Sequence, residues 1–118
     1  MELLYKTADG RYEVKLEGKT HKDLVEQLAS FQEVFENIVA TYNGVTSDKV
    51  RWQVREVDGN KFYEQVCYDD NPQIRNARLS FGCHKVGGGI FAKRKNDDDT
   101  FNKNNGWKRY NKATGKEE

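Results

Sequence analysis

Basic and aromatic side chains interleave through the second half of this chain, and that mixture is the chemistry to explain first. Arg51 and Arg55 share one stretch, and Phe62 and Tyr68 lie on the next. Lys85, Phe91, Lys93, Arg94, Lys95, Trp107, Lys108, Arg109 and Tyr110 follow. Lys and Arg neutralise phosphates and release their counterions, while aromatic faces stack nucleobases at about 1–3 kcal/mol each. A protein that holds a single strand needs both, because its bases are unpaired. A duplex reader instead presents a helix or ribbon to a groove.

The charge distribution points the same way. The 118 residues carry a net charge of +1. Residues 1–71 hold 9 Lys and Arg against 14 Asp and Glu, whereas residues 72–116 hold 11 against 3. An electropositive C-terminal third suits a polyanion.

Other chemistries fit the residues less well. Gly82 and Gly87 have the gap of a phosphate loop, but Gly88 stands where lysine belongs. Gly87 to Ala92 matches the looser dinucleotide pattern, yet a charged, turn-like run from Lys93 to Asp99 follows instead of a helix. Cys67, Cys83, His84 and His21 form no Cys-x-x-Cys pair, so no metal is expected, and Cys67 reads as a small buried hydrophobe. Cys83 and His84 are adjacent and would point to opposite faces of a strand, so they cannot pair as nucleophile and base. Asp69-Asp70 and Asp97 to Asp99 read as solvated acids. The expectation is a protein that is not an enzyme and uses no cofactor.

Composition sets the class. Hydrophobic residues make up 36% and charged residues 33%, with 6 Phe, 6 Tyr and 2 Trp, which argues for a folded polar domain. No apolar run approaches the ~18–20 residues that span a bilayer. No basic stretch leads an apolar one at the N-terminus, and two cysteines make no disulfide framework, so a cytoplasmic location is expected.

These residues must be positioned by a small set of elements. Leu3 to Tyr5, the turn Ala8-Asp9-Gly10, and alternating Tyr12, Val14 and Leu16 predict a hairpin. A helix is predicted from Lys22 to about Thr41, with Thr20 as N-cap, Asp23 three residues on, and Asn43-Gly44 as its stop. Leu24, Leu28, Phe31, Phe35, Ile38 and Tyr42 form its apolar stripe, which should pack on a sheet. Glu26, Glu33 and Glu36 make its outer face acidic, unsuited to a DNA groove. A second hairpin runs from Lys49 to Tyr68 about Asp58-Gly59-Asn60. With a two-residue turn, Val50, Trp52, Val54, Tyr63 and Cys67 share one face. Arg51, Arg55, Phe62, Val66 and Tyr68 share the other, with Glu64 near Arg55. Ala77, Leu79 and Phe81 predict a third strand of that sheet, and Asn104-Asn105-Gly106 a turn. Trp52, Phe31, Phe35 and Phe81 read as core. One domain over residues 1–111 and a disordered tail over 112–118 complete the expectation.

The most individual stretch is Arg78-Leu79-Ser80-Phe81-Gly82-Cys83-His84-Lys85 through Gly87-Gly88-Gly89-Ile90-Phe91-Ala92-Lys93-Arg94-Lys95, then Asn104-Asn105-Gly106-Trp107. With the Trp52–Tyr68 hairpin before it, the chain resembles the single-stranded DNA-binding proteins of siphophages that infect lactococci and related bacteria. The resemblance covers roughly residues 20–110. It implies a mostly β fold with one α-helix, an OB-like barrel of about five strands, and self-association as a homodimer. It also implies sequence-tolerant binding of single-stranded DNA in phage replication or recombination, in the host cytoplasm, with replication or recombination proteins as partners. Some similar sequences carry Cys-x-x-Cys pairs around this hairpin, as a zinc ribbon would, where this chain keeps only Cys67. Glu117-Glu118 is at most a remnant of the long acidic tail of bacterial single-strand binders, so recruitment of replication proteins by such a tail is not expected.

Roles follow by chemistry. Arg51, Arg55, Lys85, Lys93, Arg94, Lys95, Lys108 and Arg109 would meet phosphates, and Phe62, Tyr68, Phe91 and Trp107 would stack bases. Composition does not separate DNA from RNA, since both offer phosphates and base faces. The alternative is a non-enzymatic protein–protein adaptor that docks its partner on the helix stripe or the basic tail.

Overall fold

Alternating apolar residues fold the start of the chain into a hairpin. In the computed structural model, which describes residues 1–36 and 38–118, β1 (Glu2–Lys6) pairs antiparallel with β2 (Glu13–Glu17). Leu3 lies opposite Leu16 and Tyr5 opposite Val14, on one face. Helix α1 (His21–Phe35) begins at Thr20, whose hydroxyl accepts the Asp23 N–H at 3.1 Å. The Asp23 carboxylate accepts the N–H of Lys19, the residue before the cap, at 3.2 Å. Phe31 and Phe35 stack at 4.7 Å and meet Tyr5 at 6.1 Å and Tyr12 at 5.2 Å. The helix stripe thus packs on the β1–β2 hairpin. Glu36 accepts from the Tyr5 hydroxyl, which raises the Tyr5 pKa.

The helix is shorter than its periodicity predicts. It ends at Phe35, and Glu36 is already extended. The expected helical stretch also crosses Asn37, which lies outside the described residues. Beyond it, β3 (Ala40–Tyr42) pairs with β4 (Val45–Ser47), and Asn43-Gly44, at φ 48° and 84°, turns that hairpin instead of stopping a helix. Thr41, Tyr42, Val45 and Thr46 around an Asn-Gly pair favour a hairpin over another helical turn.

The chain divides into two compact units, residues Met1–Ile38 and Val39–Glu118. The second unit is built on an antiparallel five-stranded sheet. β5 (Val50–Val57), β6 (Asn60–Cys67), β7 (Arg78–Cys83) and β8 (Ile90–Ala92) lie in that order, and β9 (Trp107–Lys108) also pairs with β7. The fold is mostly β with one helix. Among the described residues the sheet stays open: β5 and β8 end the path and do not pair, so no barrel closes.

A two-residue turn at Asp58-Gly59, with φ 52° and 81°, sets Val50 opposite Cys67 and Arg55 opposite Phe62. Positive φ at both central residues is what such a turn requires. Val50, Trp52, Gln65, Cys67, Leu79, Phe81 and Trp107 consequently share one face. Most of them are buried, and Trp52 and Phe81 meet at 4.8 Å.

Residues 112–118, expected as a disordered tail, instead complete a hairpin. β10 (Tyr110–Asn111) pairs with β11 (Lys116–Glu117), and Arg109 and Glu118 extend the ladder with two backbone bonds of 2.9 Å. Asn111 supplies the turn: its side chain accepts the Ala113 N–H at 2.9 Å and its carbonyl the Gly115 N–H at 2.8 Å. No helix among the described residues is long and apolar enough to cross a membrane.

Candidate nucleic-acid interface

Register alone assembles the polar face of the sheet, because opposite residues on paired strands point the same way. Arg55 lies opposite Phe62, and Gly82 opposite Phe91. One residue beyond the Tyr63–Phe81 pair, the same ladder sets Phe62 against Gly82. Arg55, Phe62, Gly82 and Phe91 therefore form one row across four strands, about 14 Å long at the usual strand spacing. The next row is Gln53, Glu64, Ser80 and Lys93, whose N–H donates to the Ser80 carbonyl at 2.9 Å. The third is Arg51, Val66, Arg78 and Lys108.

The first row presents rings. Phe62 is 44% exposed, with the Arg55 guanidinium 5.3 Å from its ring centre. The Phe91 ring lies over Gly82 so closely that a Cβ there would stand 2.6 Å from its Cζ. Only glycine leaves that space, so Gly82 lets the ring lie flat across the sheet. The His84 ring meets Phe91 at 4.9 Å.

The second row holds the charges in place. Glu64 is only 2% exposed, and its carboxylate accepts from Arg55 Nε at 3.1 Å and Gln53 Nε2 at 3.2 Å. Arg78 Nη1 lies 3.7 Å from its other oxygen. A buried carboxylate between two guanidiniums fixes both and limits their rotamer freedom.

Two hollows open on this face. The larger, about 460 Å³, is lined by Arg51, Gln53, Val66, Asn76, Arg78, Arg109, Tyr110 and Lys112. The smaller, about 270 Å³, includes Arg55, Phe62, Ser80, Lys93, Lys95 and Lys108 in its lining, with Asp97 and Glu117 as its acids. Cations thus surround both hollows, as a bound polyanion requires.

The expected site residues divide on this geometry. Arg51, Arg55, Phe62, Phe91, Lys93 and Lys108 come together on the rows. Tyr68, 49% exposed, follows β6 on the same face by alternation, and its N–H donates to the Lys49 carbonyl. Lys95 borders the smaller hollow while standing 5.6 Å over the Phe101 ring and 3.6 Å from Asp99. Arg109 borders the larger hollow, but its guanidinium also rests 5.6 Å over Tyr42 and donates to the Gln73 carbonyl.

Lys85 is exposed in the β7–β8 loop, which His84 N–H closes onto the Gly89 carbonyl at 2.8 Å. Arg94 donates to the Asn105 carbonyl at 3.0 Å, and desolvation lowers its pKa, so it ties down a loop. Trp107 is 1% exposed beside Leu79 and offers no face to a base. Alternation explains the last: Lys108 takes the polar face, so Trp107 must take the other.

Sequence reasoning does not place Arg78 among the site residues, and it leaves Glu64 without a role. Strict alternation of Arg78 with Leu79 is the signal for the first. Among the described residues no three His, Cys, Asp or Glu side chains gather to hold a metal ion. No family model, curated protein or solved structure matches the chain.

Proposed function

We propose that this chain binds single-stranded DNA on the polar face of its five-stranded sheet, tolerant of sequence, in phage DNA replication or recombination. In this reading the open sheet does the work of an OB-like domain, and the protein acts as a homodimer beside other replication proteins. The observation that carries the proposal is the row Arg55–Phe62–Gly82–Phe91, set beside Lys93, Arg78 and Lys108. Ring faces accept any base, and the cations around them neutralise phosphates. Glu26 and Glu33, exposed on α1, support a strand binder over a groove reader, whereas Glu36 lies past the helix end and turns to the β1–β2 hairpin.

The test is the anisotropy of labelled oligo-dT, with duplex DNA and oligo-U as competitors, at low and moderate salt. A label is needed because Trp52 and Trp107 lie on the apolar face, where intrinsic fluorescence reports the core. Binding to dT should exceed binding to duplex and weaken with salt, and Phe62→Ala or Phe91→Ala should each cost about 1–3 kcal/mol. Equal affinity for duplex, or ring variants without effect, contradicts the proposal. No nucleic-acid affinity, together with a salt-insensitive protein association, returns the adaptor.

A further inference from the structure

The cationic face holds a carboxylate of the chain's own. The β10–β11 hairpin carries Glu117 to Arg78, and the two side chains form an ion pair. Arg78 lines the larger hollow and Glu117 the smaller, so their bridge stands in the wall between them. Little holds β11 there. Two ladder pairs and the Arg109–Glu118 exchange are joined by the Tyr42 hydroxyl on the Glu118 carbonyl at 2.9 Å. A short, exposed pairing of this kind opens at low free energy.

We propose that Glu117 is an internal anion that gates passage of a bound strand between the two hollows. The gate rests on the single-strand reading and adds length-dependent regulation to it. A phosphate and a carboxylate compete for the same guanidinium fork. A short strand sits within one hollow and leaves the bridge intact. A longer strand that crosses from Arg51 and Lys112 to Lys93 and Lys108 meets Glu117 on the way, and its phosphate takes Arg78 as β11 lifts. The carboxylate therefore weakens long strands selectively. It also lowers the number of counterions released on crossing, because Arg78 is already neutralised.

The full chain carrying Glu117→Gln tests the gate. Glu118→Gln is the charge-matched control, since that carboxylate meets Asn111 and Thr114 and is not part of the bridge to Arg78. The probes are oligo-dT of about four and about sixteen nucleotides, the span of site sizes for such domains. Glu117→Gln should tighten the long probe roughly two- to five-fold, the strength of a partly exposed ion pair. It should also steepen its salt slope by about 0.7 and leave the short probe unchanged. Glu118→Gln should match wild type at both lengths. Hydrogen exchange at the Arg109 and Glu118 amides should quicken with the long probe alone. Equal tightening at both lengths, or the same gain from Glu118→Gln, reduces the effect to general charge and overturns the gate. Binding that Glu117→Gln alters at neither length also overturns the gate while leaving the single-strand reading standing. No binding by either protein at low salt overturns that reading, and the gate with it.

Discussion

The two faces of the five-stranded sheet share strands, register and twist, yet they solve different problems. On one, Cys67, Leu79, Phe81 and Trp107 are shielded from water and fixed by packing. On the other, Arg55 and Arg78 are fixed by Glu64, and Phe91 by the space over Gly82. Close packing orders the first face, while a buried charge and a missing side chain order the second. The second face thus keeps its groups in place without covering them, which a binding surface needs.

Substitutions on the two faces should therefore differ in what they damage. Trp107→Ala removes the largest buried side chain and should cost about 3–5 kcal/mol of stability in denaturant unfolding. Glu64→Ala strips the acceptor from Gln53 and Arg55 and the partner from Arg78, and should cost about 1–3 kcal/mol of stability. It should also weaken dT binding, because it loosens the row between the rings and the cations. Phe62→Ala should do the reverse of Trp107→Ala, leaving stability within about 0.5 kcal/mol while reducing affinity. Lys93→Ala with Lys108→Ala should flatten the salt slope by about 1.4, or about 0.7 for each phosphate left without its cation. If the Trp107 and Phe62 variants act alike, the division of labour between the faces is wrong.

The smallest effect lies off both faces. The Asp69 carboxylate accepts the Asn71 N–H and the Ser47 hydroxyl, and these hold its pKa below the usual 3.8. A carboxyl depressed by folding stabilises the native state above its unfolded pKa and loses that contribution as pH falls through the folded value. Stability should decline with acidification below about pH 4, and Asp69→Asn should show a shallower decline in unfolding curves.

Much of the second unit is legible in the sequence because alternation and turn chemistry agree there. A two-residue turn at Asp58-Gly59 or at Gly59-Asn60 sorts Arg51, Arg55 and Phe62 from Val50, Trp52 and Cys67 alike, whereas a three-residue turn would exchange the returning side chains, and the Val57–Asn60 pair fixes the turn at Asp58-Gly59. Periodicity misplaces the helix end because Ile38 and Tyr42 continue a three- and four-residue spacing by coincidence. The β propensity around Asn43-Gly44 outweighs it. Trp107 is misplaced because its two-residue strand offers too little alternation to reveal a face without the Leu79 pairing. Arg94 looks like its neighbours Lys93 and Lys95 in sequence, and only the Asn105 carbonyl shows its different employment. The ordered C-terminal hairpin is hidden by a composition that resembles a tail. Its bonds run through Asn111 and the Arg109–Glu118 backbone, and neither carries a hydrophobic signal.

On the proposed reading, the polar face binds and the apolar face supports it. Nuclear magnetic resonance titration of the wild-type chain with oligo-dT of about sixteen nucleotides tests it residue by residue. Shifts are expected at Arg55, Phe62, Gly82, Phe91, Lys93 and Lys108, with the Trp52 and Trp107 indole signals nearly still. Shifts centred on α1 or on the two indoles, with the Phe62–Phe91 row silent, would contradict it.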